Sequence, residues 1–233
     1  ILRYAMFGML YFVQGTILCY FTALNPIYLR SFGLSLSEIG VIGLIGMIPF
    51  VIKIFFGMIS DRFNLLRLGH RKPYIILGLL IQIIGLLIVP SINPASSFGL
   101  FALMAFLIMS GMALYDTCTD GLALDTTPVE EEGTIQGIMV GGRALGVVII
   151  SAILGLLVQQ ISWQAMFWTM AGLTLLPVPL VLLSRDAPRP AGQRFEWKAR
   201  REQWPCLKNR RASKKKEAGQ IARHQGLREG GGR

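Results

Sequence analysis

Gly57-Met58-Ile59-Ser60-Asp61-Arg62-Phe63-Asn64-Leu65-Leu66-Arg67-Leu68-Gly69-His70-Arg71-Lys72-Pro73 is a basic connection between two long apolar runs. A bilayer retains such a Lys- and Arg-rich loop on its cytoplasmic side. This stretch therefore sets the direction of every other crossing. The flanking runs cover residues 38–59 and 73–89, and further apolar blocks lie over 4–29, 97–124, 134–158 and 164–183. Each reaches the roughly 17 to 25 residues that a spanning helix needs. The expectation is an all-α, polytopic membrane protein: a six-helix transmembrane domain over 1–183, then a basic tail over 184–233.

Composition agrees, with 53% hydrophobic residues, only 15% charged and a mean hydropathy of +0.54 over 233 residues. That profile belongs to the membrane class. The net charge of +10 is unevenly placed: Lys and Arg number eight before Ser184 and fifteen from there on, against eight and five acidic residues. The membrane part is neutral, and the tail carries the whole excess. Its run Arg210-Arg211-Ala212-Ser213-Lys214-Lys215-Lys216 and its Gly230-Gly231-Gly232 end lack the apolar surface to offset ordering, so disorder is expected. The tail reads as a solvated linker, as an out-of-frame read-through, or as a partner for anionic lipid headgroups. Trp197 and Trp204 lack the repeated aromatic spacing of a base-stacking platform, so no nucleic-acid partner is expected.

Cys19, Cys118 and Cys206 have no CxxC spacing, which suggests neither a disulfide framework nor a metal site. No nucleophile-base pair, phosphate loop or cofactor motif stands out, so an enzyme is not expected. Ile1 indicates an N-terminus trimmed or incomplete. The first block is too long for a signal-peptide core and contains Gln14 and Asn25, so it is read as a retained span.

Local signals divide the chain further. Ser35-Leu36-Ser37-Glu38 has capping-box spacing for the second helix, and Thr127-Pro128-Val129-Glu130 predicts a threonine cap for the fifth. Gly40, Gly43 and Gly46 would let a neighbouring backbone come close to the second helix. Gly137 with Gly141, and Gly142 with Gly146, are two GxxxG spacings on the fifth; they read as helix packing or as backbone lining a solute path. Pro177 and Pro179 should bend the sixth. Arg3, Arg62, Arg67, Arg71, Lys72 and the tail fall on one side of the membrane and only Arg30 on the other, so both termini are expected in the cytoplasm.

Lys53, Asp116, Asp120 and Arg143 lie inside apolar blocks. Each costs about 2.5 to 3.5 kcal/mol on an insertion scale, so they should face inward. Counting from the expected helix ends at about 1.5 Å per residue places Asp116 and Arg143 both roughly 12 to 14 Å deep. Asp120, one turn nearer the cytoplasm, comes level with Lys53. The expected pairs are thus Asp116 with Arg143 and Asp120 with Lys53. Such a centre would line a solute path, where a carboxyl kept from water can carry a coupled proton, or it would merely lock helices 2, 4 and 5 together. Gln14 would contact solute from the first helix or make an interhelical hydrogen bond.

These residues carry a resemblance. Gly57 to Asp61-Arg62, followed by Gly69-His70-Arg71-Lys72, is similar to the signature loop between helices 2 and 3 of the major facilitator superfamily, in a lengthened form. Pro49 to Lys53, the two aspartates of helix 4, and Gly133 to Gly137 leading to Gly142-Arg143-Ala144-Leu145-Gly146 resemble one corner of it. That corner holds folate-biopterin transporters, muropeptide permeases and acetyl-CoA transporters. Arg71 to Ile75 also resembles the glycoside-pentoside-hexuronide cation symporters, and helix 4 resembles that of bacteriochlorophyll-complex assembly proteins.

The resemblance implies half of a twelve-helix transporter built from 3+3 inverted repeats, with the C-terminal six-helix half missing from this chain. It implies proton- or cation-coupled symport of a small polar solute across the plasma (inner) membrane. Gly57, Asp61, Arg62, Gly69, Arg71 and Lys72 would form the cytoplasmic gate. Asp116, Asp120, Arg143, Lys53 and Gln14 would form the coupling and solute-facing centre. A non-transporting scaffold or assembly factor, or an inactive fragment, stays open beside that reading.

Overall fold

The computed structural model describes residues 2–62, 71–160 and 162–184. The gate residue Gly69 and the basic tail lie outside the described residues. Those described form six long apolar helices. Helix α1 is Leu2–Ser31, α2 is Leu36–Val51 continuing as Lys53–Arg62, and α3 is Lys72–Ser91. Helix α4 is Phe98–Thr126, α5 is Glu132–Gln160, and α6 is Trp163–Leu183.

The helix ends follow from local chemistry. Gly33, at φ 83°, takes the left-handed turn that closes α1. The Ser35 side chain then accepts from the Glu38 backbone N–H, and the Glu38 carboxylate accepts from Ser35 N at 2.8 Å, forming the expected capping box. The Asn93 side-chain oxygen accepts from Ala95 N at 2.9 Å and tightens the turn into α4. The predicted threonine cap on α5 does not form: Thr127 Oγ1 is buried without a partner, and a 3-10 turn over Val129–Glu131 leads into the helix. Ser162 caps α6 instead, accepting from Ala165 N.

Three helices are interrupted, each beside a proline. Helix α1 widens to a π-turn over Tyr20–Leu24 ahead of Pro26, and the buried Tyr20 hydroxyl donates to Asn25 Oδ1 at 3.0 Å. Helix α2 breaks at Ile52, three residues after Pro49. Helix α6 breaks at Leu176, before Pro177.

Packing is closest where glycines let backbones touch. Helix α5 runs along α1, and α3 runs along α4. A Cβ at Gly142 would overlap the Gly8 carbonyl and one at Gly146 the Phe12 carbonyl, while Gly15 lies equally close to the Arg143 carbonyl. Gly78 and Gly111 do the same for α3 and α4, each Cβ falling 2.6 Å from the other's carbonyl oxygen. Only one of the two GxxxG spacings on α5 therefore packs, since Gly137 and Gly141 have nothing within 4 Å. Helix α2 corrects a similar expectation: Gly40 and Gly43 are open, and Gly46 meets the Phe21 ring and Met109 rather than a backbone. A cluster of Tyr20, Tyr28, Phe101, Trp163 and Phe167, with ring centroids 5.0 to 5.9 Å apart, fills the end of the bundle near the α1–α2 turn.

Helices α2 and α5 bury the least of their surface. Leu44, Val51, Ile54 and Phe55 on α2, and Val140, Leu145 and Val148 on α5, are exposed. Apolar faces of this size are lipid- or helix-contacting faces in a membrane protein.

Candidate functional site

Asp116 is the centre of the polar cluster. It sits on α4 among apolar neighbours and is 4% exposed. A carboxylate at that depth requires donors, and two other helices supply them. From α1, Gln14 Nε2 donates to Oδ1 at 2.6 Å; from α2, Lys53 Nζ donates to Oδ2 at 3.4 Å. Asp120, one turn along α4, accepts on Oδ1 from the Tyr11 hydroxyl of α1. Three side chains from α1 and α2 thus converge on two carboxylates of α4.

The expected pairing is corrected in both halves. Lys53 pairs with Asp116, not Asp120, and Asp116 makes no ion pair with Arg143. The first error comes from helix ends. Helix α2 remains helical to Arg62 and α4 to Thr126, which puts Lys53 nine residues and Asp116 ten residues from their ends. The two are therefore level, and Asp120 lies a turn lower.

The second error comes from helix order, because α5 packs along α1 and barely touches α4. Gln14 of α1 donates to Asp116 where Arg143 was expected. The helices tied together are α1, α2 and α4, not α2, α4 and α5. Arg143 still lies within electrostatic range of Asp116, Tyr11 and Tyr115. Its Nε is buried without a hydrogen-bond partner.

Where α3 begins and α4 ends, Arg71 Nε donates to Asp125 Oδ2 at 2.5 Å, and its guanidinium lies against Gly121, where any Cβ would overlap it. Lys72 is buried at the start of α3, and Gly57 faces Thr117 across the α2–α4 contact. Asp61 and Arg62 are in the last turn of α2, with side chains outside the description. Beside this pair, Arg3 donates to the Thr126 carbonyl, and both Arg3 and Tyr4 reach Glu131. The start of α1 is thereby tied to the α4–α5 turn.

Sequence reasoning passed over Tyr11 and Asp125, and each carried a signal. Tyr11 stands three residues before Gln14 and so shares its face. Asp125 is an acid in the last turn of a helix, where the dipole disfavours it, so it calls for a cation partner.

Comparison with known proteins gives a single answer. The family model described as Major Facilitator Superfamily matches residues 4–226. The chain is 25% identical over 189 residues to an anhydromuropeptide permease of Escherichia coli (strain K12), covering 81% of this chain and 38% of that protein. It is 25% identical over 205 residues to a folate-biopterin transporter of Synechocystis sp. (strain ATCC 27184 / PCC 6803 / Kazusa), covering 83% of this chain and 41% of the other. The chain thus spans about two fifths of the length of these relatives.

Proposed function

The chain belongs to the Major Facilitator Superfamily, and from that premise we propose that it forms the N-terminal six-helix half of a secondary transporter for a polar organic solute. It is an integral membrane protein, with six helices long and apolar enough to cross a bilayer among the described residues. We place it in the inner membrane with both termini in the cytoplasm, on the side of the basic loop. The exposed faces of α2 and α5 are then available to a second six-helix half, against which this one rocks in alternating access.

One observation carries the reading: a carboxylate in the middle of a spanning helix is held by donors from two neighbouring helices. Intramembrane carboxylates are rare and cluster on solute and proton paths. Asp116 and Asp120 form the coupling pair, since protonating either would loosen its tie to α1 or α2. Lys53, Gln14 and Arg143 face the solute. Arg71 with Asp125, together with Gly57, Asp61, Arg62, Gly69 and Lys72, forms the cytoplasmic gate.

The test is uptake into vesicles holding the chain with its C-terminal half, using an anhydromuropeptide, folate and biopterin as first solutes. An imposed inward proton gradient is expected to drive accumulation of one of them above equilibrium, and a protonophore to abolish it. Equal uptake with and without the gradient would remove proton coupling from the proposal. Absence of uptake for every polar solute tried, with the protein folded, would remove transport itself.

A further inference from the structure

The polar centre has one group left over. Asp116 has both oxygens engaged, by Gln14 and by Lys53, and Asp120 is held by Tyr11. Lys53 and Asp116 neutralise each other. That leaves the Arg143 guanidinium with no hydrogen-bond acceptor and no ion-pair partner among the described residues, although its Nε is shut off from solvent. The Gln14 side-chain oxygen, one residue from the contact of Gly15 with the Arg143 backbone, is buried and unpartnered too. The Arg143 N–H shut off from water is costly without an acceptor, while the residue as a whole is only half-buried, so the rest of its guanidinium stays open to a ligand. Its planar fork fits the two oxygens of a carboxylate or phosphate.

We infer that Arg143 is the docking group for an oxyanion of the transported solute, a carboxylate or a phosphate, with Gln14 Oε1 accepting from a neighbouring donor on the same molecule. The inference rests on the transport reading for its context, and it narrows the solute class to acids. The ligand completes the cluster: it supplies the one acceptor that the protein withholds, so the empty site is unsatisfied and the loaded site is not. The same logic explains why α1 reaches Asp116 first. With Gln14 on Oδ1 and Lys53 on Oδ2, Asp116 makes no hydrogen bond to Arg143.

The test is ligand-dependent thermal unfolding of the chain in lipid nanodiscs, titrated with benzoate, phenyl phosphate and the neutral benzamide. Benzoate and phenyl phosphate should each raise the unfolding midpoint saturably, and benzamide should not. Arg143→Gln should abolish the response. Arg143→Lys, which keeps the charge but loses the fork, should weaken it by about tenfold or more. Arg30→Gln, remote from the cluster and bonded only to the Leu34 carbonyl, should leave it unchanged.

An unchanged response in Arg143→Gln, a benzamide response equal to that of benzoate, or no saturable response in the wild-type chain would overturn the inference. So would one profile for both anions that survives every arginine variant, which marks a general salt effect. Proton-driven uptake without oxyanion binding would sink this inference and leave the transport reading standing. Oxyanion binding without uptake would do the reverse.

Discussion

Replacing Asp116 by Asn is expected to cut solute uptake roughly 30- to 100-fold while the protein still reaches the membrane. The substitution removes the counter-charge of Lys53 but keeps the shape of the side chain. Breaking a fully buried ion pair costs about 3 to 5 kcal/mol. Lys53 is 40% exposed on its side chain, so solvent screens part of that loss, and about 2 to 3 kcal/mol in the transport barrier is a fair expectation. Asp120→Asn should do less, roughly tenfold, because that residue loses one charge-assisted bond from Tyr11. Initial uptake rates for both variants, normalised to protein in the vesicles, decide the ranking. Wild-type rates for Asp116→Asn would show that its carboxylate only holds helices together.

The second large effect concerns stability, and it changes sign along a single helix. Gly142→Ala and Gly146→Ala should each destabilise the chain by about 1 to 3 kcal/mol, because the added methyl meets a backbone carbonyl that no rotamer change can move. Gly137→Ala and Gly141→Ala meet open space and should be neutral, or stabilise by up to about 1 kcal/mol through helix propensity. Thermal unfolding of the four single variants in nanodiscs measures this directly. The α1–α5 seam also fixes the site, since Gly15 rests on the backbone of Arg143 and Gln14 is its neighbour in sequence. Variants that open the seam should therefore lose oxyanion binding along with stability.

These two cases show what could be read from the chain and what could not. Six spans followed from apolar block length and from one basic loop. The Ser35 cap followed from side-chain types at fixed spacing, because capping is a contact within four residues. The two GxxxG spacings on α5 could not be ranked, because spacing gives a face and not the neighbour that the face meets. The charged residues of the polar centre were legible as intramembrane charges, but their partners were not. Their depths were counted from apolar ends at Ile59 and Leu124, whereas the helices run on into polar residues to Arg62 and Thr126. The ends move by three residues on α2 and two on α4, and that relative shift of one residue sufficed to exchange Asp116 for Asp120 as the partner of Lys53. The position of α1 between α4 and α5 is a property of the tertiary fold, and no local pattern announces it.

The Arg71–Asp125 pair belongs to the same lesson. A basic loop was expected to gate the cytoplasmic face, and its last arginine, Arg71, meets an acid at the end of α4 with a glycine one turn earlier to seat the guanidinium. Loop and helix are 54 residues apart in sequence. Only the unfavourable placement of an acid at a helix C-terminus hinted at the contact.

The central claim is that α1, and not α5, meets Asp116, and short-range cross-linking tests it most directly. With Cys19, Cys118 and Cys206 replaced by Ser, Gln14→Cys is combined with Asp116→Cys, and separately Gly141→Cys with Asp116→Cys. Each is treated with a short bis-methanethiosulfonate reagent, and the linked peptides are identified by mass spectrometry. The account predicts a link for the Gln14 pair and none for the Gly141 pair. A linked Gly141 pair with an unlinked Gln14 pair would place a different face of the bundle around Asp116 and contradict it.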